Sequence, residues 1–142
     1  MAQSIPTLPK NWQGTVTVTT FNKATIKKKA DNDHGGKIMF EKGWNHFQAP
    51  ATLKVLRQEG RHLELEFRTG DFVSTDLGTI SADGKQIQIT FKTGSGVYNL
   101  SENKIAGCGS SRGADGLLNT WFNSYASWCD EFTVATAPAA KK

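Results

Sequence analysis

The residues best placed by type and spacing to do chemistry are Gly107-Cys108-Gly109-Ser110-Ser111-Arg112-Gly113. Flexible backbone, two hydroxyls and a guanidinium ahead of an expected helix N-terminus are suited to holding an anion. The segment lacks the Gly-Lys-Ser/Thr ending of a nucleotide phosphate loop and the glycine spacing of a dinucleotide site, and Cys108 stands too close to Arg112 for a phosphatase-type thiolate loop. The plainer reading is a turn, in which glycines supply positive φ and Arg112 pairs with backbone or stacks on an indole. As candidate anion contacts the segment offers Ser110, Ser111 and Arg112.

A nucleophilic Cys108 would need a base within hydrogen-bond reach, and the chain has three histidines, His34, His46 and His62. His62 alternates outward on a predicted strand. His34 lies in Asp31-Asn32-Asp33-His34-Gly35-Gly36, a turn that lacks the later glutamate of a calcium loop. His46 is better placed, in Gly43-Trp44-Asn45-His46-Phe47, where two aromatics flank two hydrogen-bonding side chains as a small-ligand contact requires. Trp44, Asn45 and His46, with Trp121, are therefore the candidate ligand contacts. No triad, paired-carboxylate, metal-ligand or cofactor signature is present, so the expectation is a non-enzymatic protein without metal or cofactor.

These groups must be positioned by something, and composition indicates what. The 142 residues suit one domain (1–142, with tails over about 1–10 and 137–142), 37% are hydrophobic, and 14 glycines accompany 8 Phe and 4 Trp. That mixture favours short strands and tight turns. The predicted strands cover Thr15 to Phe21, Lys37 to Lys42, residues 51–58, the alternating Leu63, Leu65 and Phe67, residues 72–80, the alternating Ile87, Ile89 and Phe91, Val97 to Leu100, and a short strand near Ile105. Turns are expected at Glu59-Gly60, Thr69-Gly70-Asp71, Asp83-Gly84 and Thr93-Gly94-Ser95-Gly96. About seven to eight antiparallel strands joined as hairpins give a mainly β fold, an up-and-down meander or barrel. Closure would remove its exposed edges.

After the meander, Leu117, Leu118, Trp121, Phe122, Tyr125, Trp128 and Cys129 fall at helical period, which predicts one C-terminal α-helix with its aromatic face packed on the sheet. Cys108 and Cys129 fit either two reduced, buried thiols, the favoured reading for a cytosolic chain, or a disulfide tying the turn to the helix end in an exported one. The first residues contain no leader-like apolar run and no segment approaches a membrane span, so the chain reads as soluble and cytoplasmic as written, export without its leader being the alternative.

The formal net charge is +4. Lys23, Lys27, Lys28 and Lys29 form the one clear basic run, which could neutralise phosphates on nucleic acid or an anionic surface. Asp31 and Asp33 follow directly, and a charged edge strand or solvated loop explains the same residues.

In organisation the chain resembles the lipocalin and calycin group: Trp12 beside a glycine at the first strand, a meander, Arg112 before a late helix, and a short strand from Phe132 to Thr136. The resemblance implies a barrel closed at one end by Trp12 with Arg112, and a small apolar ligand held at the other. The function expected from the sequence is small-molecule binding in a barrel mouth or groove. The alternatives are nucleic-acid or anionic-surface binding through Lys23 to Lys29, and a protein-interaction module working through a sheet edge or the helix face, as a monomer or weak homodimer.

Overall fold

In the computed structural model, residues 4–22, 42–70, 72–92, 94–112 and 125–136 are described. Eight strands follow one another in the chain: β1 (Asn11–Asn22), β2 (Gly43–Glu59), β3 (His62–Thr69), β4 (Phe72–Ile80), β5 (Gln86–Thr90), β6 (Gly94–Leu100), β7 (Lys104–Arg112) and β8 (Tyr125–Val134). Each pairs antiparallel with its successor, and β8 pairs with β1 from Phe21↔Tyr125 to Trp12↔Val134, so the sheet closes into a barrel. Closure satisfies the ladder donors and acceptors that a long open meander would leave at two edges.

Period-two alternation decides which residues line the interior. On β3, Leu63 and Leu65 are buried while His62 and Arg68 are exposed, and on β5 Ile87 and Ile89 are buried between Gln86, Gln88 and Thr90. A register shift between Val55 and Arg57 on β2 leaves Leu56 exposed beside Arg57. The outer wall carries charge in cross-strand pairs, including Arg57 with Glu64 and Lys104 with Glu131. The hairpin turns fall where glycine supplies a left-handed residue, at Gly60 (φ 57°), Gly70 (φ 55°) and Gly84 (φ 71°).

One end of the barrel is a dry core. Trp12, Leu53, Val55, Leu63, Leu65, Ile80, Ile87, Ile105 and Phe132 are buried there in one cluster. Residues 4–10, expected as part of a tail, lie across this end. Leu8 is buried in the cluster, Ile5 packs against it, and Leu8 N–H donates to Gln58 Oε1 at 2.9 Å while Gln58 Nε2 donates to Pro6 O at 2.8 Å.

The late chain differs from its prediction. Residues 125–129, the last part of the expected helix, belong to strand β8, and no helix occurs among the described residues; Leu117, Leu118, Trp121 and Phe122 lie outside them. The aromatic spacing that suggests a helix also fits a strand here, since Trp128, Asp130, Phe132 and Val134 alternate inward with Cys129, Glu131 and Thr133 outward. The expected turn at 107–112 is likewise strand, paired with β6 on one side and β8 on the other. Gly94 to Gly96, also expected as a turn, opens β6.

Of the two readings of the cysteines, the structure has the disulfide. Cys108 and Cys129 face each other across β7 and β8, on the exposed side of the wall, with their Cα atoms 4.0 Å apart. The bridge therefore ties two neighbouring strands rather than a turn to a helix end. The joint closure by Trp12 and Arg112 is also corrected. Trp12 pairs with Val134 at the dry end, its Nε1 donating to Pro9 O at 2.8 Å, whereas Arg112 pairs with Tyr125 at the other end.

Candidate functional site

Midway along the barrel the lining changes character. The buried polar side chains among the described residues are Thr20, Asn45, Thr69, Asp76 and Asp130, and all sit at inward positions on β1, β2, β3, β4 and β8. Two of them are carboxylates. Asp76 is 2% exposed and Asp130 5%, and they come from walls four strands apart around the eight-stranded ring.

Each carboxylate is held by one oxygen. Ser74 Oγ donates to Asp76 Oδ2 at 3.1 Å, and Tyr98 Oη donates to Asp130 Oδ2 at 2.8 Å. Trp128 Nε1 donates in turn to Tyr98 Oη at 3.2 Å, which commits the phenol's single proton to Asp130. The other oxygens, Asp76 Oδ1 and Asp130 Oδ1, are buried with no hydrogen-bond partner among the described residues, and so is Thr20 Oγ1. Native interiors rarely leave such groups unpaired, because each costs its lost hydration.

The electrostatics follow from burial without a counter-charge. Every Lys, Arg and His side chain whose burial is described is exposed, so none of those cations faces the pair. Loss of hydration pushes Asp76 up from 3.8 to about 6, against the lowering hydrogen bond from Ser74. Asp130 also rises to about 6, chiefly by desolvation, with the Tyr98 hydrogen bond opposing and the Asp76 charge adding to the rise. Desolvation and the Asp130 charge push the Tyr98 phenol far above its ordinary value, so it remains a donor at any physiological pH.

Glycines make room for this group. A Cβ at Gly96 would stand 2.8 Å from Tyr98 Cε2, and one at Gly109 would stand 3.0 Å from Trp128 Cζ2. The two rings therefore lie where β6 and β7 present no side chain. Aromatic faces border the same half: Phe91 packs edge-on against Trp128 with centroids 5.2 Å apart, and Phe67 against Phe72 at 6.3 Å.

The residues singled out from sequence are distributed differently. Of the Trp44, Asn45 and His46 group, only Asn45 points inward, donating through Nδ2 to Gly43 O at 3.0 Å. Trp44 is 76% exposed on the outer wall, where it packs against Phe21 with centroids 5.0 Å apart, and His46 is exposed on the same face. The period of two divides what the sequence presents as one cluster. Ser110 is exposed on the outer side of β7, and Ser111 and Arg112 end that strand. Trp121, Lys23, Lys27, Lys28 and Lys29 lie outside the described residues, as do His34 and the predicted strand Lys37 to Lys42 except for Lys42, an exposed residue just before β2. No three His, Cys, Asp or Glu side chains gather as a metal site among the described residues, and no helix there is long and apolar enough to cross a membrane.

Sequence reading passes over Asp76 and Asp130. On β4 the apolar Val73 and Leu77 occupy exposed positions, so hydrophobicity alone points Asp76 toward solvent. For Asp130 a usable signal exists: it stands between Trp128 and Phe132 at strand spacing, an acid in an apolar row. A helical reading of the same residues hides it.

No family model, curated protein or solved structure matches this chain. Its function has to be argued from the barrel itself.

Proposed function

We propose that this protein binds a small molecule inside the barrel, in the half away from the N-terminal strap. One observation carries the reading: three buried polar atoms, on Thr20, Asp76 and Asp130, have no partner among the described residues. A core built only for stability would pair or replace them, since apolar residues of similar volume are usually at least as stable. Unpaired groups beside ordered ones (Ser74 on Asp76, Tyr98 on Asp130) are what a preorganised receptor keeps for its ligand. The calycin resemblance points the same way, although a lining with two carboxylates changes the expected ligand from apolar to polar.

Catalysis is the weaker reading of the same residues. A carboxylate pair working as acid and base needs environments that push its two pKa values apart. Here burial raises both alike, to about 6.

The test is a screen of chemically diverse small molecules by thermal shift and tryptophan fluorescence, with the Trp128→Phe variant identifying which indole responds. The reading expects stabilising ligands whose fluorescence signal is lost in that variant. A screen in which no compound stabilises the protein, or in which every hit leaves the Trp128 signal unchanged, refutes it.

A further inference from the structure

The interior site has a definite charge, and that narrows its ligand. We propose that the barrel receives an organic cation, a protonated primary amine on an apolar or aromatic body, with the ammonium group held between Asp76 and Asp130. The proposal rests on the interior-binding reading above and names the ligand class for it.

First, two carboxylates are buried at 2% and 5% exposure, while every Lys, Arg and His side chain of described burial is exposed. Carboxylates taken out of water are normally paired with a positive charge, because the uncompensated ion is costly. A cationic ligand supplies that charge, and a neutral or anionic one does not.

Second, the hydrogen-bonding inventory matches. Asp76 Oδ1 and Asp130 Oδ1 are acceptors without a partner among the described residues; Thr20 lies four residues along β1 from Val16, which pairs with Asp130, about 13 Å away and out of reach of the same nitrogen. An ammonium group carries three donors and no acceptor. The carboxylate oxygens that face Ser74 and Tyr98 are already occupied, so each acid has one oxygen committed to the wall and one buried without a partner among the described residues. A hard metal ion fits less well. Calcium takes six to eight oxygens and magnesium near-octahedral geometry, and the described residues bring no third acid or histidine to the pair.

Third, the surroundings suit the rest of such a molecule. Phe67, Phe91 and Trp128 are partly buried hydrophobics bordering the core cluster, and Phe91 and Trp128 stack edge to face. Aromatic faces attract a cation and cover its apolar body.

Acid should release the cation. Asp76 on β4 and Asp130 on β8 face Tyr98 on β6, the remaining titratable inward side chain among the described residues, which keeps its proton throughout. Protonating either carboxyl removes a charge-assisted acceptor and the attraction with it.

The experiment uses the full chain with two matched series, phenethylamine and hexylamine against their alcohol and carboxylate counterparts, followed by titration calorimetry at pH 7.5 and pH 4.5. The amines bind at pH 7.5, the alcohols and carboxylates do not, and amine binding is lost at pH 4.5. Asp76→Asn and Asp130→Asn each weaken amine binding by about tenfold or more, the usual worth of a charge-assisted hydrogen bond. Both variants are checked for a cooperative unfolding transition first. Alcohols or carboxylates binding as well as the amines, or unaltered amine affinity in both folded variants, overturns the proposal. If neither amine binds while neutral compounds from the general screen do, the cation assignment fails and interior binding stands. If nothing binds in either experiment, both fail.

Discussion

Replacing Asp130 by asparagine should change how stability depends on pH, and the direction can be worked out in advance. Burial holds the folded-state pKa of Asp130 at about 6, above its ordinary 3.8. Between those values the folded protein binds more protons at this site than the unfolded chain does, so stability falls as pH rises through the window and stays low above it. The shift is roughly two units at about 1.4 kcal/mol each, so the ionised carboxylate costs the native state about 3 kcal/mol at pH 8 relative to pH 3. Asp76 contributes in the same sense. Part of each effect is shared, since the charge of Asp76 helps raise Asp130, so the change from one substitution is about 2–3 kcal/mol. Asparagine keeps an acceptor for Tyr98 Oη but adds a buried amide donor, an offset of about 1 kcal/mol that does not depend on pH. The diagnostic is therefore the slope. Denaturant unfolding of both proteins from pH 4 to pH 8 should show Asp130→Asn gaining about 2–3 kcal/mol on the wild type across that range. Parallel stability curves would refute the assignment of a buried, charged Asp130, and a difference growing toward acid would reverse its sign.

Two other perturbations have defined outcomes. Denatured without reductant, the protein should show no reactive thiol; reducing the Cys108 to Cys129 bridge, which spans 21 residues of chain, should cost about 3 kcal/mol through the freed unfolded state. Leu8→Ala empties a buried position under the N-terminal strap and should cost about 2 kcal/mol or more by chemical denaturation, while Trp44→Ala, exposed on the outer wall, should change stability by no more than about 0.5 kcal/mol.

The antiparallel hairpin order and the turns at Gly60, Gly70 and Gly84 could be read from the sequence, because alternation such as Leu63, Leu65 and Phe67 against His62, Glu64 and Arg68 is local information. The late chain could not. Tyr125, Trp128 and Cys129 satisfy a helical spacing as well as a strand, and what decides between them is pairing with β7 and with β1, which is distant in sequence. Gly107 and Gly109 resemble a turn in sequence, but their small size serves close packing within a strand, at Gly107 against the backbone of Val97 and Tyr98 and at Gly109 against Trp128. The site was the least legible part. Asp76 and Asp130 are separated by 53 intervening residues and gain their shared character only when the ring closes. Among the described ligand contacts expected from sequence, Asn45 alone points inward, by parity rather than by the aromatic neighbours that drew attention to it.

Ring closure also determines how the molecule can be held. β1 begins and β8 finishes side by side, with Ala135 N–H donating to Asn11 O at 2.9 Å. Whatever is attached before the first strand or after the last therefore hangs from the dry end, along the barrel from Asp76 and Asp130. The chain can be tethered, fused or even re-joined end to end there, with the opposite end left facing outward.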